Sequence, residues 1–174
     1  MFVFMLISAM GWCKGAPVSP AMKTFFRGLE FYQADNMPLA MRYFTHSASL
    51  AERENNYFLQ VRSYAYISNI FYDAANYGRS LTYLTKCYKF ASIQKDSFML
   101  SHLPTNIVAT YCKMGKPQDA RRWLEVVKRT PISDTLEWRY YVWYSQARIA
   151  KAEKHYAEAL KFHRFGWYGH VVAR

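Results

Sequence analysis

The sequence predicts an all-α fold, an α-solenoid of stacked antiparallel helix hairpins, on three observations. First, one pattern returns at a fixed step. Met37-Pro38-Leu39-Ala40, Tyr77-Gly78-Arg79-Ser80 and Pro117-Gln118-Asp119-Ala120 place a small residue at Ala40, Ser80 and Ala120, and Phe44, Leu84 and Leu124 follow at the same step. A fourth copy, Tyr156-Ala157-Glu158-Ala159, arrives one residue early. Periods in this range mark helical arrays, whose units each leave a sticky face for the next unit to cover. Second, the 174 residues include 15 Tyr and 12 Phe but only 7 Gly and 6 Pro, a mix suited to helices packed through large side chains. Third, no run of alternating Val, Ile and Thr signals a sheet.

The elements follow in order. After Pro17-Val18-Ser19-Pro20, a linker, a helix is expected from about Ala21 to Ala34. Asp35-Asn36 turns the chain, and Pro38 sits in the first turn of a second helix, where its missing N–H costs nothing. That helix ends near Glu54, broken by Asn55-Asn56. A third helix spans about Tyr57 to Ala74, and a fourth about Gly78 to Ile93. Asp96 or Ser97 caps a fifth, which ends at Met114 before the terminator Gly115. Pro117 opens a sixth, ending at Thr130-Pro131. Ser133 or Asp134 caps a seventh running to about Glu153, and an eighth begins at Tyr156. The expected division is a leader over 1–16, four repeats over about 21–56, 57–96, 97–132 and 133–165, and an irregular tail over 166–174. Gly166 and Gly169 interrupt that tail, and it lacks a polar capping helix, so the sequence reads as a fragment of a longer chain, the alternative being last residues packed irregularly over the open end.

Met1 to Trp12 is apolar except for Ser8. This stretch falls short of the roughly 20 residues that cross a bilayer, so no transmembrane segment is expected. The length suits the core of a signal peptide, and small-residue patterns follow at Ala9-Met10-Gly11 and Cys13-Lys14-Gly15. Export to the periplasm is therefore expected. The alternative is a hydrophobic leading helix on the first repeat of a cytoplasmic protein.

The formal charge is +11. Such a surface attracts acidic proteins, anionic lipid or nucleic acid. Only Lys113, Lys116, Arg121, Arg122, Lys128 and Arg129 cluster, no nucleic-acid motif accompanies them, and a solvated helix face is the expectation. Cys87 and Cys112 fall on adjacent helices, as a bridge or as two thiols. With no CxxC, no HExxH and no paired histidines, no metal or cofactor is expected. His46, His102, His155, His163 and His170 are scattered, and no acid pair shares a face with any of them. The chain reads as noncatalytic.

The helix pairs themselves carry a resemblance. Tyr111…Gly115…Pro117…Ala120…Leu124, Phe71…Tyr77…Ser80…Leu84 and Tyr156…Ala159…Leu160 resemble the tetratricopeptide repeat across about Ala21 to Phe165. The unit, set by the step from Ala40 to Ser80, is longer than the family's usual repeat of about 34 residues. Arg27 and Ser68 stand where the family prefers apolar or small residues. The resemblance implies a right-handed superhelix whose first helices line a concave groove that binds a peptide or protein segment. It assigns to that groove Arg62, Asn69 and Tyr72, then His102 and Thr105, then Tyr141, Tyr144 and Arg148. Met22, Phe25, Leu29 and Tyr32 fall on the same stripe in the first repeat. Arg62 and Arg148 suit carboxylates, Asn69 a peptide backbone, and the tyrosines stiff contact area, so an acidic partner is expected. The clamp that some family members close on chaperone C-termini is not matched: Phe25, Leu29, Tyr66, His102 and Asn106 hold its places. The long helices and leader also resemble the exported repeat regions of Bacteroidetes-type sensor kinases and regulators, which implies a sensing role. The alternative function is a structural or assembly protein acting through its convex face or open end, with Trp167 and Tyr168 at that end.

Overall fold

The computed structural model describes residues 18–129 and 136–172, with side chains over 18–129 and 138–165. The leader over 1–16, the stop at Thr130-Pro131, the caps at Ser133 or Asp134 and the side chains of Trp167 and Tyr168 lie outside the described residues. Among those described, every element is a helix: α1 (Pro20–Gln33), α2 (Met37–Arg53), α3 (Tyr57–Asp73), α4 (Tyr77–Gln94), α5 (Ser97–Lys113), α6 (Pro117–Arg129), α7 (Leu136–Ala152) and α8 (Tyr156–Val172). Consecutive helices pack on one another throughout, and first helices also meet across repeats, α1 on α3 and α5 on α7. No helix among the described residues is long and apolar enough to cross a membrane.

One corner joins these helices repeatedly. Asp35, Asn55, Ala75, Lys95 and Gly115 all take the left-handed conformation, with φ from 53° to 68°. They are evenly spaced along the chain, and Lys154 repeats the conformation at 65°. The next residue donates its N–H to the carbonyl five positions back, as in Asn36 to Phe31, Asn76 to Phe71 and Lys116 to Tyr111, at 2.8–3.0 Å. This is the Schellman closure, which satisfies carbonyls left over at a helix end. The same residue then caps the next helix. The Asn36, Asn56, Asn76 and Asp96 side chains accept from the N–H of Leu39, Leu59, Arg79 and Met99 at 3.3, 3.1, 3.3 and 3.0 Å. One residue thus ends one helix and starts the next, leaving the hairpin little freedom.

The core divides into three clusters, each shared by a hairpin and the first helix after it. Ala21, Phe25, Ala40, Phe44 and Ile67 form the first, and Val61, Leu84, Cys87, Leu103 and Ile107 the second. Val108, Ala120, Leu124, Val142 and Ile149 form the third. The repeating pattern marks the tightest contacts. Ala40, Ser80 and Ala120 are fully buried. Opposite them, at the same step, stand Gly28, Ser68 and Val108. A Cβ built on Gly28 falls 2.8 Å from the Phe44 ring, and Ser68 Oγ lies 3.0 Å from the Ser80 carbonyl, to which it donates. Gly28, not Arg27, therefore takes the close-approach position. Ser68 is no departure there, because a small hydroxyl fits and finds an acceptor. The repeats match in their polar details too. Ser47 Oγ donates to the Ala21 carbonyl at 2.9 Å, and one repeat later Cys87 Sγ donates to the Val61 carbonyl at 3.5 Å.

Two expectations change. Phe25 is buried between Phe44 and Tyr66, with ring centroids 5.6 and 5.7 Å away, so it belongs to the core and not to a groove. The helix α8 runs through Gly166 and Gly169 to Val172, where an irregular tail was expected. A helical glycine costs about 1 kcal/mol relative to alanine, which weakens a helix without ending it.

The corner makes a paired prediction. Gly115→Ala should lower the unfolding free energy by about 1 kcal/mol, because a Cβ is penalised at positive φ. Gly78→Ala, at the start of α4 with open space around it, should raise stability by about 0.5 kcal/mol. Denaturant midpoints at unchanged slope measure both, and two shifts of the same sign would contradict the corner's role.

Candidate functional site

The helices α3, α5 and α7, each the first of its hairpin, carry all eight candidate residues, and the structure sorts most of these into two groups. The first lies at the N-terminal half of α5. The Arg62 guanidinium covers the Phe58 ring at 3.8 Å and lies 5.8 Å from the Phe98 ring, both within cation–π range. Burial pulls the Arg62 pKa below its ordinary value, against the opposing charge of Asp96. Its Nε is buried with no hydrogen-bond partner among the described residues. His102 Nδ1 sits 2.8 Å from the Phe98 carbonyl and 2.7 Å from Ser101 Oγ, while Nε2 sits 2.9 Å from the Tyr141 hydroxyl. A carbonyl only accepts, so Nδ1 carries the proton toward it and Nε2 accepts from Tyr141.

Sequence reasoning missed Phe58 and Phe98. Both are exposed, at 38% and 52%, and they stand one repeat apart, so the repeat itself was the signal that could have found them. An exposed phenylalanine at one repeat position is ordinary; two at the same position, each beside a cation or imidazole, form a stripe.

The second group closes the other end. Arg148 donates from Nη1 to the Tyr72 hydroxyl at 3.3 Å and from Nη2 to the Tyr144 hydroxyl. The first of these bonds joins the second repeat to the fourth. The guanidinium also lies 4.6 Å from the Tyr144 ring, which stacks on Tyr140 with centroids 5.7 Å apart. Burial acts to lower the Arg148 pKa, and the bonds and charges of Tyr144 and Tyr72 outweigh it, so the value ends above the ordinary one. Both terminal nitrogens being engaged, Arg148 is not presented as the open bidentate fork that its residue type suggests. It braces a cleft of about 600 Å³ lined by Tyr72, Cys112, Lys113, Tyr144, Lys151 and His163.

The two remaining candidates differ. Asn69 is exposed on α3. Thr105 is 5% exposed, and its hydroxyl has no partner among the described residues. It follows Pro104 inside α5, a helix buried on nearly all sides, so it leaves the exposed stripe.

Half of the cationic cluster read from the sequence is paired with acids. Arg121 donates to Glu153 at 2.9 Å, Arg122 to Asp119 at 3.1 Å and Lys128 to Glu125 at 2.8 Å. Exposed pairs of this kind contribute little stability, but they offset charge locally. Cys87 and Cys112 are both free thiols. Among the described residues no three His, Cys, Asp or Glu gather as metal ligands. The chain matches no family model and no curated protein.

The thiols predict a pH response. Burial pushes Cys87 from 9.0 up to about 12 and Cys112 up to about 11. The folded state therefore keeps protons that the unfolded chain has released. This contribution to stability is full below pH 9 and is lost as pH rises through 11 and 12. Unfolding free energies measured from pH 8 to 11 should fall above pH 9, and Cys87→Ala should flatten the slope. An unchanged slope in the variant would contradict the assignment.

Proposed function

We propose that this chain is a noncatalytic, tetratricopeptide-like scaffold that holds a peptide or protein segment along the groove of α3, α5 and α7. The observation that carries this reading is the stripe of Phe58, Arg62, Phe98, His102 and Tyr141 leading to the cleft at Arg148. Exposed rings bring area at small entropic cost, because a phenylalanine has two rotatable bonds to freeze, and contacts of this kind dominate interface energies. Asn69 lies on the same helix as Arg62 and offers a donor and an acceptor to a backbone. Arg62 in the stripe and the cations of the cleft it leads to favour an acidic segment. Export, with a sensing role in a larger signalling protein, is the finer form of the proposal and rests on the apolar leader.

A second reading, assembly through the open end, is favoured by one observation. Leu160 on α8 is 65% exposed, whereas Met41 and Leu81, at the matching place in α2 and α4, pack on the core.

Peptides selected from a random library against the folded protein test the two readings. Phe58→Ala with Phe98→Ala should weaken selected binders at least tenfold, about 1.4 kcal/mol, and Asn69→Ala or Arg148→Ala should weaken them further, with the helical circular dichroism unchanged. Binders indifferent to these four and sensitive to Leu160→Ser would overturn the groove in favour of the open end. Sedimentation that varies with concentration would point the same way.

A further inference from the structure

The cleft at the Arg148 end is lined by cations. Lys113, Arg148, Lys151 and His163 line it, and no acid is among its lining residues. Several cations elsewhere have acidic partners: Arg27 with Glu30, Arg121 with Glu153, Arg122 with Asp119 and Lys128 with Glu125. The neighbouring cleft between α6, α7 and α8, about 370 Å³, mixes Arg121, Arg122 and Lys128 with Glu125 and Glu158, so its charges offset one another. Lys113 and Lys151 are exposed on the last turns of α5 and α7. Arg148 is fixed by two tyrosine hydroxyls, and its Nε is buried with no partner among the described residues.

From this geometry we propose that the cleft is a subsite for a phosphate monoester, carried as a phosphorylated side chain on the segment that the groove holds. The assignment rests on the groove reading above and specifies its ligand. Charge decides between the anions. The C-terminal ends of α5 and α7, with about half a negative charge each, offset part of the three permanent cations; what is left still exceeds one carboxylate, while a phosphomonoester brings about −1.5 to −2 at neutral pH and three strong acceptor oxygens. Lys113 and Lys151 supply point charges, the Tyr72 and Tyr144 hydroxyls sit beside Arg148, and the volume accommodates a phosphorylated side chain. A nucleic-acid backbone is disfavoured because it needs cations in sequence along a track. The groove beyond the cleft offers rings and the single Arg62, and the cluster on α6 is tied to nearby acids.

Phenyl phosphate, inorganic phosphate, acetate and a short single-stranded RNA, titrated at pH 8 and constant ionic strength, test the assignment by calorimetry or amide chemical shifts. Lys113→Gln with Lys151→Gln removes two exposed charges at the cleft, and Arg121→Gln with Arg122→Gln removes two elsewhere. The expected result is phenyl phosphate binding at least tenfold tighter than acetate, weakened at least tenfold by the first pair and less than twofold by the second. Equal weakening by both pairs would reduce the site to diffuse surface charge. Acetate binding as tightly as phenyl phosphate would make it a carboxylate site. RNA binding that tightens with length and ignores the first pair would replace a phosphopeptide with nucleic acid. Each of these three overturns the proposal. Because the probes contain no peptide, phosphate failure alongside intact peptide binding sinks the subsite alone, and the reverse sinks the groove reading and the peptide carrier with it, leaving only a phosphate site.

Discussion

The left-handed corner between helices is the constraint on which the rest depends. Five evenly spaced residues, from Asp35 to Gly115, adopt the same positive φ, and in four of the corners the following Asn or Asp closes one helix and caps the next. A corner so determined gives every hairpin nearly the same geometry. Helices of nearly constant length joined by constant corners bring a residue and its counterpart in the next repeat to equivalent places. That explains why Ser47 and Cys87 make the same bond one repeat apart. Four of these five residues are not glycine, so the conformation costs roughly 1 kcal/mol at each. Burial between neighbouring hairpins has to outweigh that cost, and loss of Phe44, packed against three aromatic rings, should cost about 3–5 kcal/mol.

Equivalence also builds the surface. Because α1, α3, α5 and α7 occupy the same place in each unit, a residue type repeated at one position becomes a stripe. Phe58 and Phe98 are such a pair, and the cation beside the first is answered by an imidazole beside the second. The bond from Arg148 to Tyr72 skips a repeat, which sets the width of the cleft at that end and holds it with neutral hydroxyls instead of a carboxylate.

Much of this architecture was legible in the residues. Asn, Asp, Gly and Pro punctuate the helices at a regular step, so the described helix ends were readable to within a residue or two, except the end of α8, which Gly166 and Gly169 were read as stopping and which runs on to Val172. The left-handed corners were not, since Ala75 and Lys95 carry no signal for positive φ; only the spacing from Asp35, Asn55 and Gly115 betrays them. Thr105 was misplaced because α5 is buried on most faces, and a helix without one polar face does not reveal its register. Phe25 was misplaced for a related reason: an aromatic on an inner stripe is as readily core as groove. The tie between Arg148 and Tyr72 depends on how the stack curves, which no pattern along the chain records.

The central claim is that the face of α3, α5 and α7 receives the partner. Amide chemical shifts of the protein, recorded with and without a selected peptide, address it most directly. The account predicts that the large changes fall on α3, α5 and α7, centred on Arg62, His102 and Tyr144. Changes confined to α2, α4 and α6, or to the outer face of α8 around Leu160, would contradict it.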